Sequence, residues 1–436
     1  MAEPLRIALA GLGTVGAGVI KLIEANGPLI EKRAGRPIRI SAVSARDRSK
    51  DRGVDLSPYV WEDDMTAMAE RDDVDLVVEL VGGSDGPALT LARNALHAGK
   101  SLVTANKAMI AHHGLSLAEE AEKRGVALKF EAAVAGGIPV VKGLREGAAA
   151  NEIDRIYGIL NGTCNYVLST MEDTGRDFGD VLKEAQELGY AEADPSFDIE
   201  GVDAAHKLAI LSAIAYGARV DFNAIDMSGI TRIRAADIAE AASLGYVIRL
   251  IGMADTDHEA GGAPRLFQRV QPYLVPRDHP LAAVDGPTNA VVLEGNFVGR
   301  LLFQGAGAGD GPTASAVMAD IIDIARGEES APFSIPVEQL DRLEPAESGH
   351  RLNRAYLRFT VTDRPGVLAE ITAAMRDAGV SIESLIQKGQ AGDSGEVLVV
   401  MVTHECAEHC VTDALKLLEG SESLTEMPLV MRLLGS

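Results

Sequence analysis

The segment LRIALAGLGTVGAGVIKLIE constrains this chain most. A β-rich apolar run, Leu5–Ala10, leads directly into GLGTVG, and Val15–Glu24 follows with helical spacing. A G-x-G-x-x-G pattern is weak by itself in a chain with 45 glycines among 436 residues. Placed between a strand and a helix it becomes specific. Gly11 makes the tight turn, Gly13 lets the backbone approach a pyrophosphate, and Gly16 lets the helix pack closely. Thr14 and Val15 open the helix, whose free N–H groups attract an anion. The start of a doubly wound parallel sheet that binds a dinucleotide is the expected result.

Later segments continue that pattern. Strands are expected at 38–43, 76–81, 101–104 and 126–130, with helices at 87–98 and 115–124. Such alternation implies βαβ units with right-handed crossovers. Near residue 135 the rhythm changes: a strand at 153–160 precedes several helices, and a run of strands follows, as in an α+β layer. Residues 327–350 carry three prolines and scattered charge and read as a linker. Beyond it, strands at 355–362, 380–389, 395–403 and 427–433 enclose helices at 365–378 and 407–419, a ferredoxin-like βαββαβ order. The expected division is a Rossmann domain over 1–134 rejoined by 305–326, a substrate and dimerisation domain over 135–304, the linker, and a C-terminal domain over 351–436.

Charge excludes some partners. Lys+Arg 41 against Asp+Glu 64 gives a net charge of −23, which opposes nucleic acid and anionic lipid surfaces. No apolar run approaches the length of a membrane span, and three cysteines suit a reducing compartment. A cytoplasmic protein without nucleic-acid or membrane partners is expected.

Two places carry chemistry. The second strand ends ISAVSARDRSK, where an acidic residue would bind a ribose 2′-hydroxyl. Arg46 arrives first and suits a 2′-phosphate, so NADP is favoured and NAD remains open; Arg48 and Lys50 read equally as a solvated loop. The segment GYAEADPSFDIEGVDAAHKLAIL, 189–211, gathers Glu192, Asp194, Asp198, Glu200 and Asp203 ahead of an apolar helix bearing Lys207. Asp203 and Lys207 at i,i+4 share a helix face. Alone, such a pair is a surface salt bridge; partly buried, the lysine becomes a proton donor to a carbonyl receiving hydride.

GLGTVG, SLVTANKA (101–108), NGTCNY (161–166), the 189–207 segment and GAGAGDGPTASAV (305–317) occur in an order that resembles homoserine dehydrogenases. That family reduces aspartate 4-semialdehyde to homoserine with NAD(P)H, on the route to threonine, methionine and isoleucine. The resemblance implies Lys207 as catalytic lysine with Asp203 as companion, and Lys107 as a second active-site lysine. It implies Glu192 and Asp198 at the substrate, Thr104 and Gly305 beside the cofactor, and a homodimer or homotetramer. It also implies a monovalent cation site, usually sodium, at Glu131, Val134, Gly136 and Ile138; one carboxylate with carbonyl oxygens suits a hard ion.

Residues 360–385 resemble an ACT domain, a ligand-sensing module. Its turn falls on Asp363, Arg364, Pro365, Gly366, Val367 and Leu368, where backbone N–H groups at a helix start would meet a ligand carboxylate. Ser381 stands where many ligand-binding versions carry asparagine, so threonine sensing and a purely assembling role both stay open. Two rival functions remain: an acylating semialdehyde dehydrogenase using Cys164 as nucleophile, and a non-catalytic sensor of nucleotide and amino acid. THECAEHC (403–410) brings His404, Cys406, His409 and Cys410 together, but without the spacing of a zinc site.

Overall fold

A computed structural model describes residues 3–257, 262–328, 330–388 and 396–435. Residues 389 and 395, the inner ends of two expected strands, lie outside the described residues.

Six parallel strands form the first sheet: β1 (Leu5–Ala10), β2 (Ile38–Ser44), β3 (Val60–Trp61), β4 (Leu76–Glu79), β5 (Ser101–Thr104) and β6 (Leu128–Lys129). Their order is β3-β2-β1-β4-β5-β6, all neighbours parallel. That is the doubly wound dinucleotide-binding arrangement, whose ligand crevice lies at the carboxyl ends of β1 and β4. Both faces are covered, so β4 is buried at every position.

The helices differ from their expected bounds for local reasons. Helix α1 (Thr14–Ala34) runs ten residues past the expected end despite Pro28. Asn26 leaves helical geometry (φ −118, ψ 15), so the proline ring is accommodated by a kink. Between β4 and β5 lies α2 (Pro87–His97). Helix α3 (Lys107–Arg124) begins earlier than 115, because the Asn106 side chain caps it by accepting from Met109 N at 3.1 Å.

The central layer is an antiparallel sheet of β7 (Ile153–Ile159), β8 (Tyr246–Asp257), β9 (Arg265–Pro276), β10 (Thr288–Gly295) and β11 (Gly299–Ala306). Against it pack α4 (Gly162–Thr174), α6 (Val202–Tyr216) and α7 (Ala235–Ser243), with α5 (Phe178–Glu187) packed on α4. Helix α6 is buried from Asp203 to Ile214, as its nearly unbroken apolar surroundings require. The chain then returns to the first sheet through α8 (Asp310–Arg326), which packs along α1.

The C-terminal unit contains β12 (Ala355–Thr362), α9 (Val367–Asp377), β13 (Ile382–Lys388), β14 (Glu396–Thr403), α10 (Glu408–Leu417) and β15 (Leu429–Leu433). Its antiparallel order β15-β12-β14-β13 is ferredoxin-like. Two contacts tie this unit and the preceding segment to the rest of the chain. β15 also pairs parallel with β9, Tyr273 opposite Arg432 and Leu274 opposite Leu433, making one continuous sheet. Within 327–350, Phe333, Val337 and Leu340 are buried, Phe333 against Phe130 and Gly114, so apolar burial straps this segment down.

Candidate active site

A cleft of ≈ 1270 Å³ lies between the carboxyl ends of the first sheet and the central layer. Its glycine turn is built for close approach. Gly11 has φ +99, and a Cβ there would lie 2.6 Å from the Leu80 carbonyl oxygen. A Cβ at Gly16 would lie 2.0 Å from Gly11 O, whereas Gly13 faces open space. No side chain caps α1, so its first N–H groups are free to meet a phosphate, and Thr14 and Val15 line the cleft. These features fit a dinucleotide pyrophosphate.

Other cofactor candidates are placed unevenly. Gly305 lines the cleft. Thr104 is buried behind the wall, its hydroxyl donating to Glu79 Oε2 (2.6 Å) and accepting from Asn106 N (2.9 Å). Glu79 Oε1 in turn accepts from Val81 N (2.7 Å) and Gly82 N (3.1 Å). Thr104 therefore shapes the wall from the back. Arg46 is exposed after β2 and does not line the cleft. The Asp47 carboxylate is taken up by Ser49, accepting from its N (2.8 Å) and Oγ (2.6 Å).

At the other end, Asp203 joins both lysines. Its Oδ2 accepts from Lys207 Nζ (2.7 Å) and Asn161 Nδ2 (2.8 Å), and its Oδ1 pairs with Lys107 Nζ (2.8 Å). Lys207 Nζ also donates to the Leu160 carbonyl at 2.7 Å. The side chains of Asp203 and Lys207 are only 5% and 9% exposed, against 35% for Lys107. The i,i+4 pair is thus an interior ion pair, not a surface one. Burial, then the neighbouring Lys107 charge, holds the Lys207 ammonium below its ordinary value although Asp203 opposes this. Burial also acts against Asp203, yet the two ammonium groups keep its carboxyl well below the usual range. For Lys107 burial is outweighed by Asp203, Asp198 and Glu192, and its value is raised.

Asp198 accepts from Asn161 Nδ2 (2.7 Å) and from Thr163 Oγ1 (3.3 Å). Burial and then Asp203 raise its carboxyl. Glu192 is exposed on the cleft wall. A carboxylate there suits an ammonium group. Sequence reasoning missed Asn161, whose single amide bridges Asp198 and Asp203 while its Oδ1 caps α4 at Cys164 N (2.8 Å). The Asn-Gly-Thr start of that helix was the available signal.

Cys164 itself is buried, its Sγ donating to Asp198 O at 3.2 Å. Burial, reinforced by Asp198 and Asp203, pushes its thiol up, the reverse of an activated nucleophile. The acylating reading is thereby disfavoured.

Glu131 is buried in the loop leading from β6, and a cation there can be tested against its surroundings. Its oxygens accept from Val141 N (3.0 Å) and Lys142 N (2.8 Å). Burial and nearby Asp320 raise its carboxyl to about 7. Asp320 accepts from Glu131 N at 2.8 Å, its Oδ1 makes no hydrogen bond among the described residues but lies 3.9 Å from Lys142 Nζ, and burial raises it to about 6. Val134 and Ile138 are buried, and Gly136 (φ +49) turns the chain where a Cβ would meet Gly307 O at 2.5 Å. Lys142 pairs with Asp320 and Asp323, so Glu131 is a buried carboxylate with no ion pair of its own among the described residues, in a tightly folded loop that fits a monovalent cation.

The turn Asp363–Leu368 lines no part of the cleft. Asp363, Arg364, Pro365 and Gly366 are exposed, Gly366 (φ +98) caps α9, and Val367 and Leu368 begin the helix inward. Arg364 donates to Ser423 Oγ at 2.8 Å. Among the described residues no group of three or more His, Cys, Asp or Glu is arranged to hold a metal, so His404, Cys406, His409 and Cys410 form no zinc site. No described helix is long and apolar enough to cross a membrane.

Comparison with known proteins agrees with this geometry. The homoserine dehydrogenase NAD-binding domain model matches residues 11–131, the homoserine dehydrogenase model 139–322, and the ACT domain model 355–409. A homoserine dehydrogenase of Pseudomonas aeruginosa is 42% identical over 97% of each chain. One from Neisseria gonorrhoeae is 44% identical over 98% of each. The crystal structure of a homoserine dehydrogenase from Thiobacillus denitrificans superposes with a TM-score of 0.91 at 40% identity, covering 99% of this chain and 98% of that one. A hyperthermophilic archaeal homoserine dehydrogenase mutant in complex with NADPH is 27% identical, with a TM-score of 0.63, covering 76% and 99%. With the cleft, the two-lysine carboxylate and the C-terminal ACT unit in place, the chain belongs to the homoserine dehydrogenase family.

Proposed function

We propose that Lys207 is the proton donor in the NAD(P)H-dependent, reversible reduction of L-aspartate 4-semialdehyde to L-homoserine. The observation that carries this is its hydrogen bonding. Two of the three ammonium N–H bonds are committed to Leu160 O and Asp203 Oδ2, leaving the third for the cleft that Lys207 lines. When bound, the nicotinamide supplies hydride to the C4 aldehyde carbon. Lys207 gives its proton to the aldehyde oxygen as that oxygen gains charge, and takes it back in the oxidation of homoserine. A lysine held below its ordinary value by burial gives up a proton more readily.

The other assignments follow the same line. Asp203 holds both ammonium groups at one point, and Lys107, at the start of α3, polarises the substrate from the opposite wall. Glu192 and Asp198 receive the substrate ammonium. Gly11, Gly13, Thr14, Val15, Gly16, Thr104 and Gly305 form or support the cofactor site, with NADP preferred through Arg46 and NAD accepted. Glu131 and the carbonyls of Val134, Gly136 and Ile138 would hold a sodium ion, which would stiffen the junction of the two layers. An amino acid such as threonine would bind the Asp363–Leu368 turn. Assembly as a homodimer or homotetramer is supported by β11, an edge strand with Leu302 exposed. A cytoplasmic location agrees with free cysteines.

Rates with NADPH and NADH, for wild type and Arg46→Ala, test the cofactor part of this reading. The variant should lose NADPH affinity and leave NADH unchanged. Equal effects on both cofactors would refute the role of Arg46.

A further inference from the structure

We infer that Asn289 is a positioning residue for this reaction, acting on Lys207 through the Leu160 carbonyl. This rests on the reading of Lys207 as proton donor. Asn289 lies on β10, outside every segment that carries the resemblance, and its side chain is buried against the cleft wall. Its Nδ2 donates to Leu160 O at 2.9 Å, and Lys207 Nζ donates to the same oxygen at 2.7 Å. Leu160 follows the end of β7, so its carbonyl is not fixed by the sheet ladder. Asn289 is thus a second donor on the oxygen that Lys207 uses.

The amide is packed as a rigid stop. A Cβ at Gly307 would lie 2.3 Å from Asn289 Cγ, so the returning segment can pass only as glycine. A Cβ at Gly162 would approach Asn289 Oδ1 to 3.5 Å. Oδ1 has no hydrogen-bond partner among the described residues. Turning the amide over would set Oδ1 against Leu160 O, two acceptors face to face, so the orientation is fixed by chemistry. A buried acceptor left unpaired costs stability, and an apolar side chain would avoid that cost. What Asn289 contributes in exchange is one donor, directed at the oxygen that aims Lys207.

The aim matters because a proton donor displaced by about 1 Å can cost on the order of 100-fold in rate. Asn289→Ala frees the carbonyl to tilt, and Lys207 follows it. The expected result is a fall in kcat of about 10- to 100-fold, with KM for aspartate semialdehyde and NADPH nearly unchanged. Asn289→Asp keeps the shape and, when ionised, adds a carboxylate beside the oxygen shared with Lys207. It should move the alkaline limb of the kcat profile for reduction to higher pH, because a nearby negative charge favours the charged lysine.

The test measures kcat, KM and the pH profile for the full-length wild type, Asn289→Ala, Asn289→Asp and Lys207→Ala, with melting curves for each. A loss confined to kcat in Asn289→Ala, or an upward limb in Asn289→Asp should Asn289→Ala not fold, supports the inference. Wild-type kcat in Asn289→Ala, a change confined to KM, or an unmoved limb in Asn289→Asp overturns it. Near-normal turnover in Lys207→Ala would instead remove the proton-donor reading, so the two failures are distinguishable.

Discussion

Replacing Asp203 by asparagine probes the point on which the site turns. One buried carboxylate takes three donors, from Lys207, Lys107 and Asn161. Coulomb attraction between unit charges 2.7 Å apart at an effective dielectric near 20 is about 6 kcal/mol for the Lys207 contact. Asparagine returns about 1.5 to 3 kcal/mol as a charge-assisted hydrogen bond. The remainder, about 3 to 5 kcal/mol, matches the cost of breaking a buried ion pair from one side. Lys207 is already held down by burial and by Lys107, so removing Asp203 lowers it further. At about 1.4 kcal/mol per unit, the alkaline limb of kcat for semialdehyde reduction should fall by roughly two to four pH units. NADPH oxidation followed against pH in wild type and Asp203→Asn gives the answer. A limb that stays in place, with turnover preserved, would refute the claim that Asp203 sets the state of Lys207.

Sodium dependence follows from Glu131 and Asp320, raised by burial to about 7 and about 6. Groups raised in the folded state contribute stability below their ordinary values and lose it as pH climbs through 6 to 7. A cation favours the ionised form of Glu131, so sodium, compared with choline, should raise Tm more at about pH 8 than at about pH 5.5. An increase independent of pH would contradict a site at Glu131. Cys164→Ser keeps a donor to Asp198 O and should hold kcat within about threefold, measured by NADPH oxidation; loss of all turnover would return Cys164 to the chemistry.

Much of this site is legible in the sequence because its parts are local. The GLGTVG turn is read from spacing, since strand, turn and helix are contiguous. Asp203 and Lys207 are paired by one helical turn. The Lys107–Asp203 contact is hidden, because it forms only where the first sheet meets the central layer. Asn161 and Asn289 leave little trace: a single amide carries no periodicity, and its value depends on which carbonyls and carboxylates the fold delivers to it. Glu131 is identified by resemblance alone, since a strand-end glutamate looks ordinary until Asp320 arrives from α8. The segment 327–350 reads as a linker from three prolines and scattered charge, and the burial of Phe333, Val337 and Leu340 within it is not legible there. The pairing of β15 with β9 is equally invisible, being only two residues of register between distant segments.

The most direct measurement is single-turnover oxidation of NADPH by aspartate 4-semialdehyde in wild type and Lys207→Ala, with NADPH binding measured alongside. Proton donation of this kind typically contributes about 100- to 10,000-fold. The variant should lose rate on that scale while binding NADPH as wild type does. Near-normal turnover in Lys207→Ala, with the cofactor bound, would contradict the account.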